Sequence, residues 1–396
     1  MLLLGPPGSG KTNLLKDMLE KLKIKYMIET GNPDWTPFDT LGGFSIGSPE
    51  NFRKGFIFEA AEQCRQAIER DELYWLIIDE INRANVDLAF GKFFTLLDPT
   101  YRIDESLRIC GPGNMCKEIQ VPLSFRVLAT MNSYDRALLF KLGYALTRRF
   151  AVINHAFLEN LLDRYMRKYE NAIKEGVLKK VLKVSEKDYG ESIGLNFELI
   201  REDLTLCRED LPHDCTVPLD FKDYVLQLGD KWREDLYSIQ TTMGVIRLDN
   251  VITYLVHAVN EYLREFVDCE ICPVEVTPGV VADALKYIAL GVYASKKGLV
   301  RLSQASGISS PEHESSLYML LLLDTAFFTY IIPQLDILAD YASREKLQRG
   351  IVGPQQTSKK NTASGALESI KEILASHGLI YSSSLVEKLS KGYHVY

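Results

Sequence analysis

Residues 5–12 read Gly-Pro-Pro-Gly-Ser-Gly-Lys-Thr, and they leave this chain few folds to adopt. Ahead of them Met1–Leu4 is an apolar run of strand length. Behind them, residues 11–23 carry Leu14, Leu15, Met18, Leu19 and Leu22 at helical spacing. A turn of the form G-x-x-x-x-G-K-[ST] between strand and helix points successive backbone N–H groups inward around phosphate oxygens, and the helix adds its positive end. Gly5, Pro6, Pro7, Gly8, Ser9 and Gly10 form that loop. Lys11 is expected to reach the outer phosphates, Thr12 to ligate Mg²⁺, and Asn13 to complete the nucleotide-binding set.

A second feature answers the first. Trp75-Leu-Ile-Ile-Asp79-Glu80 is an apolar strand that ends in two carboxylates. Parallel sheets gather ligands beyond the carboxyl ends of their strands, so Asp79 is expected beside the phosphate loop, holding the magnesium directly or through water. Glu80 would polarise an attacking water, which needs a carboxylate within hydrogen-bond reach.

Around these motifs residues 1–150 alternate strand-like and helix-like segments, as a parallel α/β sheet requires. Residues 31–55 are rich in Gly, Pro, Asn and Ser and predict mostly loop. Phe56–Arg70 and Val86–Leu97 predict helices, and Leu73–Ile78 and Phe125–Met131 predict strands. Between 99 and 123, two strand-like pieces flank Cys110-Gly-Pro-Gly-Asn and predict a β-hairpin, with Arg102, Arg108 and Lys117 available for contacts. From about Ala151 long helical segments take over: Phe157–Lys174, Phe221–Ile239, Leu248–Phe266, Val280–Ser295 and Ser315–Ile332. Residues 348–364 are polar and linker-like, and the last thirty or so predict two short helices.

Composition bounds the rest. At 396 residues, with 46% hydrophobic and 25% charged residues, the chain suits two globular domains and a tail. A net charge of -7 gives no overall basic footprint, so any nucleic acid must be met by a local patch or a partner. Residues 317–332 form the most apolar stretch, but Asp324 and Thr325 interrupt it and Pro333 closes it, which predicts a buried helix and no membrane span. No secretory signal precedes Gly5, so the expected location is cytoplasmic. Seven cysteines, an odd number, argue against a disulfide framework. Cys269 and Cys272 have the spacing of half a zinc site that Cys207 or Cys215 could complete, but no second close pair supports it, and packed thiols are the plainer reading.

Ile77-Ile-Asp-Glu-Ile-Asn-Arg-Ala-Asn85 resembles the second acidic motif of AAA+ proteins of the MoxR, dynein-like and McrB groups. Ala129-Thr-Met-Asn132-Ser-Tyr-Asp135-Arg136 and Ala145-Leu-Thr-Arg148-Arg149-Phe150 resemble the McrB type more closely, the motor subunit of modification-dependent restriction systems. The resemblance covers residues 1–150 well. It implies an α/β fold: an AAA+ P-loop NTPase core (1–150, with 99–123 as a hairpin insertion), then an α-helical lid domain (151–345), a linker (346–364) and a short helical tail (365–396). It implies Asn132 as a polar sensor orienting water, Asp135 as the acid of the M-N-x-x-D signature, and Arg148 and Arg149 as a pair of which at least one acts on a neighbouring subunit's nucleotide. It implies a homo-oligomer, by analogy a hexamer, and a partner endonuclease subunit, with DNA reached through that partner or the ring channel. Gly244-Val-Ile-Arg247 could supply a second sensor arginine, although Arg247 fits equally well as a helix-start ion-pair residue.

The base-contacting segment that AAA+ proteins place before the first strand, and the DNA-recognition domain of McrB-type subunits, have no counterpart before Gly5. ATP, favoured by the wider class, and GTP, favoured by the McrB type, both stay open. Two other functions compete: a MoxR-like chaperone ATPase, against which the M-N-x-x-D signature and the arginine pair speak, and a nucleotide-binding scaffold, against which Glu80 and Asn132 speak.

Overall fold

The computed structural model describes residues 1–45, 48–111, 115–132, 149–155, 165–205, 220–266, 275–300, 302, 310–352 and 362–394. They form two compact units, the first ending at His155 and the second beginning at Tyr165.

The first unit is built on five parallel strands. In chain order they are β1 (Leu2–Gly5), β2 (Lys25–Thr30), β5 (Tyr74–Asp79), β8 (Val127–Asn132) and β9 (Val152–Asn154), arranged β2-β5-β8-β1-β9. Strand alternation sends Leu3, Ile77 and Leu128 to one face, where Leu15 and Leu19 of helix α1 (Lys11–Lys21) cover them. Leu2, Leu4, Leu76 and Ile78, none more than 2% exposed, belong to the opposite face. A sheet buried on both faces is the usual condition of an all-parallel sheet, and it makes the strands read as continuous apolar runs. Each buried leucine contributes roughly 1.5–3 kcal/mol relative to exposure, so α1 is firmly docked. Its buried face is narrower than the spacing suggests: Leu14 and Leu22 are 40% and 38% exposed.

The registers bring the functional ends together. Gly5 lies opposite Asn132, and Thr30 opposite Asp79, so the phosphate loop, the acid pair and the candidate sensor leave the sheet along one edge.

Several predicted segments differ. Residues 31–55 are not mostly loop: they contain α2 (Pro37–Thr40) and the antiparallel strands β3 (Gly42–Ser45) and β4 (Ser48–Lys54). The helix expected over 86–97 is two short ones, α4 (Val86–Ala89) and α5 (Phe93–Leu96), while α3 (Phe56–Ile68) ends close to its predicted limit.

The hairpin within 99–123 is present as β6 (Leu107–Cys110) and β7 (Cys116–Ile119). Its register sets Cys110 directly opposite Cys116, with Cα atoms 4.1 Å apart, and a disulfide joins them. Counting cysteines missed this bridge because a hairpin needs only two of them face to face. Cys64 is free and buried. Cys207, Cys215, Cys269 and Cys272 lie outside the described residues, among which no cluster of three or more metal-ligating side chains occurs.

Arg102 also corrects the sequence reading. It is 2% exposed, and its guanidinium donates to the carbonyls of Leu96 and Leu97 at the end of α5 and of Pro122 and Phe125 before β8. It ties a helix C-terminus to a loop, where a cation also suits the helix dipole. Burial, with Arg126 nearby, pulls its pKa down to about 9. Arg108 and Lys117 stay exposed on the hairpin.

The second unit is helical apart from one antiparallel hairpin, β10 (Ser238–Thr241) and β11 (Gly244–Arg247). That hairpin shortens the helix predicted over 221–239, which resolves into Asp220–Gln227 and Trp232–Tyr237. Leu248–Phe266 and Pro278–Lys296 form as expected. Pro311–Leu335 is long and apolar enough to cross a membrane, but 72% of its most apolar window is buried inside this unit, as a core helix is. Within it Asp324, fully buried, accepts from the Tyr169 hydroxyl at 2.7 Å and from the N–H groups of Tyr381 and Ser382 at 2.7 and 2.9 Å. The two last helices, Ala363–Ser376 and Ile380–Ser390, are built into the same core through Leu367, Ile370, Leu385 and Val386.

Candidate active site

Gly10 precedes α1 at φ 80°, and Gly8 sits at φ 73°, so the loop turns through conformations that L side chains rarely adopt. Lys11 then begins the helix only 8% exposed, its ammonium donating to the carbonyls of Gly5 at 3.0 Å and Pro6 at 2.7 Å. Desolvation lowers its pKa, with the charges of Asp79 and Glu80 opposing. The cation is held inside the loop by the groups a phosphate would displace.

One turn into the same helix, the Thr12 hydroxyl donates to Asp79 Oδ1 at 2.6 Å. The Thr130 hydroxyl donates to that same oxygen at 2.6 Å and accepts from the Glu80 N–H at 2.9 Å. Thr130 therefore fixes both acids at once. It escaped the motif reading, although a signal was present: Thr130 and Asn132 are two polar residues on one face of an otherwise apolar strand.

Glu80 leaves β5 in the left-handed region, φ 51° and ψ 48°, which is rare for a residue with a side chain and typical of functional sites. Gly31 makes room for it, since a Cβ there would lie 2.2 Å from the Glu80 carbonyl oxygen. The Glu80 carboxylate accepts from Arg83 Nη1 at 2.9 Å. Asn132, 4% exposed, ends β8, and its carbonyl accepts from the buried Asn82 amide at 3.4 Å.

These residues surround one cavity of about 310 Å³, lined by Pro7, Gly8, Gly10, Lys11, Thr12, Asn13, Asp79, Glu80, Thr130 and Asn132. Amides and an ammonium lie on one side and two carboxylates on the other. Asp79 and Thr12 offer hard oxygen donors of the kind magnesium prefers.

The remaining predicted residues are placed elsewhere. The Arg149 guanidinium lies 4.6 Å from the centre of the Phe94 ring. Asp135 and Arg148 fall outside the described residues. Arg247, at the end of β11, pairs with the buried Asp249 through two hydrogen bonds of 3.0 and 2.6 Å, and Asp249 also receives Arg233 at 2.6 Å. In the second unit Arg247 is thus a helix-start ion-pair residue, one of the two readings its sequence allowed.

A phosphate loop, an acidic strand end and a polar sensor on a β2-β5-β8-β1-β9 parallel sheet define an AAA+ nucleoside triphosphatase core, with the helical unit following it in the chain. The profile of the AAA domain of the dynein-related subfamily matches residues 1–150. The Type IV methyl-directed restriction enzyme EcoKMcrB subunit of Escherichia coli strain K12 is 32% identical over 161 residues, 39% of this chain and 34% of that protein. The chain thus spans about a third of the length of that curated relative. A presumed ATPase from Cytophaga hutchinsonii aligns with 75% of this chain and 80% of its own at 16% identity, but a TM-score of 0.30 carries no argument. The chain is an McrB-like member of the AAA+ nucleoside triphosphatases, and residues 1–150 are its dynein-related AAA domain.

Proposed function

We propose that this chain hydrolyses the β–γ phosphoanhydride of ATP or GTP as one subunit of a cytoplasmic ring, by analogy a hexamer, and drives a partner endonuclease subunit on DNA. The observation that carries the hydrolytic reading is the 2.6 Å contact between Thr12 and Asp79 at the mouth of a cavity that also contains Lys11 and Glu80.

In this reading the loop amides and Lys11 bind the polyphosphate, Lys11 exchanging the Gly5 and Pro6 carbonyls for phosphate oxygens. Thr12 and Asp79 would hold a magnesium ion, which neutralises phosphate charge when bound. Glu80 orients the attacking water and accepts its proton, while the neutral Asn132 amide steadies that water without adding charge. Arg148 or Arg149 of a neighbouring subunit offsets charge on the transferred phosphoryl group, a contribution of ~10³-fold or more. The partner and the DNA come from the likeness to a restriction-enzyme subunit.

The test is phosphate release with ATP and GTP side by side, with and without DNA. The proposal predicts magnesium-dependent turnover of at least one nucleotide. Background release of both under every condition would contradict it.

A further inference from the structure

The candidate base of the reaction is held by a cation that hydrolysis does not obviously need. Glu80 has a pinned backbone: its N–H donates to Thr130, and its carbonyl faces Gly31 so closely that no side chain fits there. Only its side-chain torsions remain free to carry the carboxylate in or out of the cavity. Directly after it comes a single 3₁₀ turn, Ile81–Arg83, closed by the Arg83 N–H on the Glu80 carbonyl at 2.9 Å. Side chains three residues apart eclipse in a 3₁₀ turn, so Arg83 stands over Glu80, and its Nη1 binds Oε2 at 2.9 Å. Among the described residues the cavity wall includes Glu80 but not Arg83, so the ion pair faces the rim.

We propose that Arg83 is a positioning residue that latches Glu80 in a resting state, occupying a carboxylate oxygen that would otherwise accept from the attacking water. The inference rests on the hydrolytic reading above and deepens it by adding a control on the base. The latch is weak by construction. Arg83 and Glu80 are 50% and 37% exposed, and exposed pairs of this kind shift an equilibrium by about fivefold at most. A neighbouring anion or a bound partner can therefore release it by claiming the guanidinium.

The full-length chain is compared with Arg83→Gln, Arg83→Lys, Glu80→Gln and the double variant Arg83→Gln/Glu80→Gln. Nucleotide binding and steady-state turnover are measured on each, after thermal melts. Arg83→Gln should raise basal kcat about two- to fivefold with KM and nucleotide affinity unchanged, and Arg83→Lys should return most of the way to the wild-type rate. In the Glu80→Gln background the Arg83 change should have no effect on turnover. A kcat for Arg83→Gln at or below wild type, with Glu80→Gln inactive, overturns the latch alone, and so does an increase that survives in the double variant. Wild-type turnover by Glu80→Gln overturns the hydrolytic reading itself. If Arg83→Gln does not melt cooperatively, Arg83→Lys decides: one flexible ammonium holds the carboxylate less firmly than a planar fork, so its kcat must exceed wild type, and a kcat at or below wild type rejects the latch.

Discussion

Thr12 and Asp79 stand 67 residues apart in the chain and 2.6 Å apart in space, hydroxyl to carboxylate. A helix start and a strand end meet there because β1 and β5 both pair with β8, which carries both to the same edge of the sheet. Thr130, on β8 itself, donates to the same Asp79 oxygen, so three elements converge on one atom.

That convergence makes Thr130→Val informative. Valine keeps the shape and removes the hydroxyl, which leaves the buried Glu80 N–H without its acceptor and Asp79 with one donor fewer. Stability should fall by about 1–3 kcal/mol and turnover by tenfold or more, while Thr130→Ser keeps most of both. Denaturant unfolding and phosphate release check it. Wild-type turnover by the valine variant would mean that the hydroxyl does not position the acids.

Arg102 should matter for folding and not for ligand contact. Arg102→Met strands four carbonyl partners in the interior, and about 3 kcal/mol or more of stability should be lost. Arg108→Ala and Lys117→Ala on the exposed hairpin should cost under about 0.5 kcal/mol. Parallel urea titrations compare them, and equal losses would contradict the assignment.

A pH effect is expected near the end of the second unit. His394 bonds Asp336 at 2.7 Å and Asp340 at 3.0 Å, and the Asp336 hydrogen bond raises its pKa above the usual value, with burial opposing. A raised folded pKa means that the contribution is complete below the unfolded value of about 6.5 and is lost as pH climbs through the folded one. His394→Gln should therefore lower Tm more at pH 6 than at pH 9. An equal or larger deficit at pH 9 would contradict it.

The sequence made the centre of this site readable because phosphate binding restricts residue type so severely: glycine where φ is positive, lysine and threonine at one helix start, acids at a strand end. The order of helices and strands in the first 150 residues followed from buried parallel strands being uniformly apolar. What stayed hidden depends on three-dimensional pairing. Arg102 looks like any surface arginine until four carbonyls surround it. Cys110 and Cys116 look unrelated until a register sets them opposite. Helix-like spacing over 221–239 continued past Tyr237, where β10 pairs with β11 and tertiary contact overrides propensity. Gly31 is one glycine among many until the Glu80 carbonyl lies against it.

The central claim, that this cavity binds a nucleoside triphosphate and cleaves it, is tested most directly by two single changes measured for both binding and turnover. Lys11→Ala removes the buried ammonium, and binding of ATP and GTP should fall at least a hundredfold. Glu80→Gln keeps the shape and removes the base, so binding should stay near wild type while phosphate release drops to background. Tight binding by Lys11→Ala, or undiminished release by Glu80→Gln, would contradict the account.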